Sequence, residues 1–149
     1  MIKRINYAAT SPQAWEILLK QESYLGQQLK ENAKIWELVK LRVSQINQCA
    51  YCIDMHSKDA LKQGETMQRI YALNAWRDSP FYTETERQAL QWAELVTSMQ
   101  AISDELYQQA LEMLGEQLLV DLTVAINAIN SWNRIAKVFK PEVGGYEPS

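Results

Sequence analysis

Cys49, Cys52 and His56 stand within one stretch of eight residues, Cys49-Ala50-Tyr51-Cys52-Ile53-Asp54-Met55-His56. They are both cysteines and the only histidine of the 149-residue chain. Two thiols spaced C-x-x-C can close a disulfide or be oxidised in turn, and a nearby imidazole can take the proton from one of them. On a helix advancing about 100° per residue, the three side chains fall within roughly 60° of one another. Ile53 and Ala60 share that face, while Tyr51, Asp54, Lys58 and Lys62 lie opposite. Cys52 and His56 are one turn apart, about 6 Å along the axis, within reach of a direct or water-bridged hydrogen bond. Cys49 and Cys52, in a first turn, are spaced to permit a disulfide. A helix start at this point would also favour thiolates, through its free N–H groups and positive dipole end. The spacing therefore gives Cys52 as a thiol activated by histidine, Cys49 as its disulfide partner and His56 as base or proton relay. Two other readings use the same residues. The cysteines could be inert core residues, or the three groups could ligate zinc. Against zinc, Cys49 and His56 are about 10 Å apart along one helix axis, and no metal is expected.

The elements that must position this stretch all read as helices. Pro12 after Ser11 starts a helix to about Gln21, and a second from Glu22 is expected to break or bend near Gly26 or Asn32. No glycine or proline occurs between Gly26 and Gly64, so long helices are allowed there. Residues 33–47 place Ile35, Val39, Val43 and Ile46 on one face, with Arg42 inside the stripe as a snorkelling side chain or a buried charge partner. Asn47-Gln48 punctuates, and the cysteine helix runs to Gln63 with Gly64 as its stop. A short helix from Thr66 to about Asn74 precedes a loop around Pro80. Thr83-x-x-Glu86 is a capping box that opens a helix to about Met99. Ser103 caps a helix over 104–114, Gly115 stops it, and a last helix spans 116–139 before Pro141. That last helix is apolar over a wide arc, which suits a central core element or a subunit interface. Asn127, Asn130 and Asn133 form a polar stripe on it, expected to be a solvated face. The tail from 141 to 149, rich in Gly and Pro, orders only if something holds it. No strand-like alternation is visible. The expected fold is all-α, one domain over residues 1–149 with seven or eight helices.

Composition narrows the partners. With 47% hydrophobic and 22% charged residues and a net charge of -3, the chain is ordinary for a soluble globular protein and has no basic patch for nucleic acid. No apolar run approaches the ~20 residues of a membrane span, and no secretory pattern follows the charged start. A cytoplasmic location is expected, where C-x-x-C signals redox chemistry rather than a structural staple.

The run from Leu41 to Ala60 resembles the core motif of the alkylhydroperoxidase D-like proteins of the carboxymuconolactone decarboxylase superfamily. The matching features are Arg42-x-Ser44, the C-x-x-C pair, His56 four residues on and Ala60 four further. Trp76-Arg77-Asp78-Ser79 and the Phe81 to Arg87 stretch resemble the group too, so the likeness is close over residues 35–100. The resemblance implies a helical fold assembled as a trimeric or hexameric homo-oligomer. It implies thiol peroxidase and disulfide reductase activity on (alkyl) hydroperoxides, with no metal, haem or other cofactor. It assigns Cys52 as the residue that attacks peroxide and Cys49 as the resolving cysteine that exchanges with a dithiol, thioredoxin-like or lipoyl reductant. His56 and Glu37, twelve residues before Cys49, complete the proton relay. Glu37 falls with Lys40, Ser44 and Asn47 on the polar side of its helix, so the wheel alone gives a solvated charge. Both views hold if that helix has two buried sides. The best-studied type of the family carries a histidine where this chain has Tyr51. The decarboxylases proper lack the cysteine pair, so decarboxylation is not expected. The contrasting reading from the residues is a redox-responsive oligomer, whose dithiol switches assembly with little turnover.

Overall fold

The fold is organised around a helix that is apolar on two sides. In the computed structural model, which describes Ile2 and residues 4–148, eight α-helices follow in order. They are α1 (Tyr7–Thr10), α2 (Pro12–Gln28), α3 (Ala33–Ile46), α4 (Ala50–Lys62), α5 (Met67–Ala72), α6 (Glu84–Thr97), α7 (Asp104–Leu114) and α8 (Glu116–Phe139). Short 3₁₀ turns at Lys30–Asn32 and Leu73–Ala75 complete the set. No strand occurs among the described residues, as the lack of alternation predicts.

α3 lies at the centre, packed on α4, α6 and α8. Its Trp36, Val39 and Val43 join Leu25 of α2, Leu29 just after it, Trp92 of α6 and Leu122, Ile126 and Ile129 of α8 in the larger core cluster. Its Leu38 and Leu41 join Ala60, Ile70, Leu73, Trp76, Tyr82 and Leu90 in a second. A fully buried leucine contributes about 2–3 kcal/mol through burial alone, so both sides of α3 are anchored. α8 is the long central element its apolar arc predicts, with Leu122, Ala125 and Ile126 wholly buried. No helix is long and apolar enough to cross a membrane among the described residues.

One boundary expectation needs correction. α2 is continuous from Pro12 to Gln28, through Gln21, Glu22 and Gly26, and the break comes at the other expected place, the turn at Lys30–Asn32. A helical glycine costs about 1 kcal/mol, but Leu25 and Leu29 on either side of it are buried in the core and hold the turn. α1 lacks an apolar stripe that would announce it; Asn6 caps it through a hydrogen bond from Ala9 N–H. The capping box at Thr83 and Glu86 forms as predicted, with both reciprocal bonds.

The asparagine stripe is also corrected. Asn127 is exposed, but Asn130 and Asn133 are buried. Asn47 Nδ2 donates to the Oδ1 atoms of both, at 2.9 and 2.8 Å, and Asn133 Nδ2 donates to Ser44 Oγ at 3.1 Å. The stripe is a polar seam that fixes the register of α8 on α3, because buried amides must find partners.

Arg42 is a charge partner, away from the cysteines. Its Nε donates to Glu94 Oε1 at 2.7 Å and a guanidinium N–H to Asn74 Oδ1 at 2.6 Å. Glu94 also accepts from Trp76 Nε1 at 2.8 Å and Arg77 at 2.5 Å. Burial pushes the Glu94 carboxyl up, but these donors outweigh it and hold it below the usual carboxylate range. The Trp76–Arg87 stretch is thus structural: Arg87 donates to the carbonyls of Tyr82, Arg77 and Ser79 and pins the loop. Glu94→Gln should lose about 2–4 kcal/mol, because it leaves Arg42 and Arg77 without their anion. The check is urea unfolding. An unchanged midpoint would mean that this carboxylate contributes nothing to stability.

Candidate active site

The turn between α3 and α4 delivers the cysteines. Gln48 takes a left-handed conformation, φ 52°. Its N–H donates to Gln45 O and that of Cys49 to Ser44 O, at 3.1 and 3.0 Å. This is a Schellman closure, with glutamine at the position that glycine usually fills. Cys49 thereby becomes the N-cap of α4, and Cys52 sits in its first turn. The two are joined by a disulfide, with Cα atoms 5.3 Å apart, and both are buried at 2% exposure.

One turn above Cys52, His56 is buried at 4%. Its Nδ1 lies 2.8 Å from Glu37 Oε1. Glu37, at 3% exposure, is not solvated as the helical wheel suggests. The reason is the central place of α3: the side opposite its core face is covered by α4. Lys40 Nζ contacts Glu37 Oε2 at 2.6 Å, and Gln63 Nε2 reaches the same oxygen at 3.5 Å. Burial alone would raise the Glu37 carboxyl. The hydrogen bond from His56 and the charge of Lys40 overcome it and hold the group below the ordinary carboxylate value. With Glu37 anionic, Nδ1 is the donor, and in the neutral form of the ring the lone pair is on Nε2. That Nε2 is buried and has no hydrogen-bond partner among the described residues.

His56 and Cys52 both line one cavity of about 230 Å³. Its wall is largely aromatic and apolar: Tyr7, Trp15, Tyr51, Met55, Ile129 and Trp132, with Lys40 and Glu22 as charged members. Tyr7 of α1 packs on Trp15 of α2 and on Phe139 of α8, with centroids 5.2 and 5.1 Å apart, and Trp15 meets Trp132 edge-on at 5.0 Å. Cys49 does not open to this cavity. It lines a separate cleft with Ala136, Lys137, Lys140, Pro141, Glu142 and Val143, and Tyr51 borders both spaces. Tyr51 is therefore a wall residue and not part of a solvated face, because α1 and α2 fold across it.

Residue spacing places Cys49, Cys52 and His56 on one face; the structure joins the cysteines, sets Cys52 and His56 on one cavity, and brings Glu37 to His56. It also supplies what sequence reading missed. Lys40 is signalled by its i,i+3 relation to Glu37. Asp59, one turn beyond His56, has Oδ2 4.0 Å from Nδ1. Tyr7, Trp15 and Trp132 carry no local signal, since distant segments bring them together. Glu37, His56 and Asp59 place ligand atoms within 4.8 Å of one another, a set that could hold a cation. Lys40 already supplies the positive charge at Glu37, and a metal would have to displace it.

The sequence profile of the carboxymuconolactone decarboxylase family matches residues 12–95. The chain belongs to this family. Among relatives of this family member, the uncharacterised protein YdfG of Bacillus subtilis is 45% identical over 138 residues, covering 91% of this chain and 93% of its own. The uncharacterised protein YnjA of Escherichia coli is 29% identical over 94 residues, 62% of this chain and 52% of that protein. A crystal structure from Agrobacterium tumefaciens superposes with a TM-score of 0.89 at 39% identity, covering 97% of this chain and all of the other. That protein is described as of unknown function and as a candidate antioxidant defence protein AhpD. This family member thus shares an AhpD-like, all-helical fold. Its joined C-x-x-C pair is consistent with a peroxidase-like role.

Proposed function

We propose that this family member is a thiol peroxidase that reduces organic hydroperoxides and is recycled by an external dithiol. The observation that carries the reading is that Cys52 and His56, whose Nε2 has no partner among the described residues, line one apolar cavity, while Cys49 is joined to Cys52 from the other side.

In the reduced protein, His56 Nε2 takes the Cys52 proton, and Glu37 at Nδ1 stabilises the imidazolium. The Cys52 thiolate attacks an oxygen of the hydroperoxide, and the O–O bond breaks. Sulfur is oxidised to sulfenic acid, and the departing alkoxide takes the proton from His56 and leaves as alcohol. The Cys49 thiol then attacks the sulfenic sulfur. The disulfide forms, and hydroxide with the thiol's proton leaves as water. A dithiol returns two electrons by exchange at Cys49, becoming a disulfide itself. The apolar wall suits an alkyl or aryl substituent on the hydroperoxide better than hydrogen peroxide. The reading includes a cytoplasmic setting, where dithiol reductants are maintained, and a trimeric or hexameric assembly.

The test is consumption of cumene hydroperoxide and hydrogen peroxide with dihydrolipoamide as reductant. Faster turnover of the organic peroxide, well above the protein-free rate, is expected. No acceleration over reductant alone would end this reading.

A further inference from the structure

The chain after α8 returns along the outside of α4 and is held there. Lys58 Nζ donates to the carbonyls of Gly144 and Tyr146 at 3.1 and 2.9 Å while also pairing with Asp54 at 3.0 Å. Lys62 Nζ donates to Pro148 O at 3.3 Å. These contacts are what order a tail rich in Gly and Pro, and they seat one side chain, Tyr146. Its hydroxyl donates to Asp59 Oδ1 at 2.8 Å. The other oxygen of Asp59 faces His56 Nδ1 at 4.0 Å, too far for a hydrogen bond but near enough for its charge to act. Burial, followed by the hydrogen bond to Asp59, pushes the Tyr146 phenol up to about 12, so it stays a donor throughout the working range.

Resting on the peroxidase reading, we propose that Tyr146 is a positioning residue, which the tail delivers to fix Asp59 as a second carboxylate against the Nδ1 edge of His56. Glu37 on α3 makes the hydrogen bond to that edge. Asp59 adds negative charge beside it and favours the imidazolium formed when Cys52 gives up its proton. Without the tyrosine hydroxyl, Asp59, which is only half-buried, turns to solvent and the added field is lost. The tail therefore takes part in the proton relay although it is remote from it in sequence. Neither Tyr146 nor Asp59 lines the substrate cavity, so the effect falls on kcat and not on KM.

Because His56 is the only histidine, its ring nitrogens give a single set of resonances in a long-range ¹H–¹⁵N spectrum. The full chain is compared in its resting disulfide form with Tyr146→Phe, Asp59→Asn, the double variant and Lys58→Met. All four are expected to displace the His56 Nδ1 resonance in the same direction, and the double variant no further than Asp59→Asn alone, because Tyr146 acts through Asp59. Tyr146→Phe should also lower kcat roughly 3- to 10-fold, the worth of one hydrogen bond. A Tyr146→Phe spectrum that superposes on the wild type would overturn the inference, as would a double variant whose displacement is the sum of the two singles. The resonances are read without turnover, so this outcome is separate from whether the protein consumes peroxide.

Discussion

Cys52→Ser should abolish peroxide consumption, a loss on the order of 10³-fold or more, because a serine hydroxyl in this cavity is neither a thiolate nor oxidisable. Cys49→Ser should behave differently. Cys52 would still attack the peroxide, but the sulfenic acid would have no resolving thiol. One equivalent of peroxide should be consumed in a burst, after which turnover stalls. The trapped species should react with dimedone and appear as an adduct on the Cys52 peptide by mass spectrometry. The asymmetry follows from access: Cys52 opens to the aromatic cavity with His56, whereas Cys49 opens to the cleft beside Lys137 and Pro141. If Cys49→Ser were dead to the first equivalent and Cys52→Ser supported the burst, the two roles would be reversed.

Glu37→Gln should lower kcat/KM by about 10²- to 10⁴-fold, the range in which general-base machinery contributes. The glutamine keeps the shape but not the charge. It no longer stabilises the imidazolium, and its amide can present the wrong group to Nδ1. The variant should also lose about 1–3 kcal/mol of stability, since Lys40 is left half-buried without its anion. The pH dependence gives the same residue a second signature. The folded carboxyl lies below its ordinary value of 4.5. Its contribution is therefore fully present above about pH 4.5 and is lost as the pH falls through the folded value. Wild-type stability should decline on acidification through that window. The Glu37→Gln curve should decline less, with Glu94, also held low, accounting for part of the remaining slope. Urea midpoints at pH 7 and pH 4 measure the difference. Equal slopes for the two proteins would show that Glu37 is not held as a buried anion.

Local chemistry in the sequence carried much of the fold. Ser11-Pro12, the Thr83–Glu86 box, Ser103 and Gly115 fixed helix ends because caps act over three or four residues. It failed where a distant surface overrode a local cost. Gly26 did not break α2, since Leu25 and Leu29 are seated in the core. The Asn130–Asn133 pair is not solvated, since Asn47 and Ser44 of α3 satisfy it. For Glu37, one helical wheel could not tell solvent from a second buried face.

The spacing of Cys49, Cys52 and His56 by itself determined that two thiols and an imidazole share one face of a helix start, because helical geometry sets relative positions within a turn or two. Only the tertiary structure decided what meets that face. Packing α3 between α4, α6 and α8 turned Glu37 inward to His56. The crossing of α1 and α2 over α8 made the aromatic cavity, and the returning tail set Tyr146 on Asp59. These contacts join residues from 19 apart, for Glu37 and His56, to the two ends of the fold, for Tyr7 and Phe139, beyond the reach of any local periodicity.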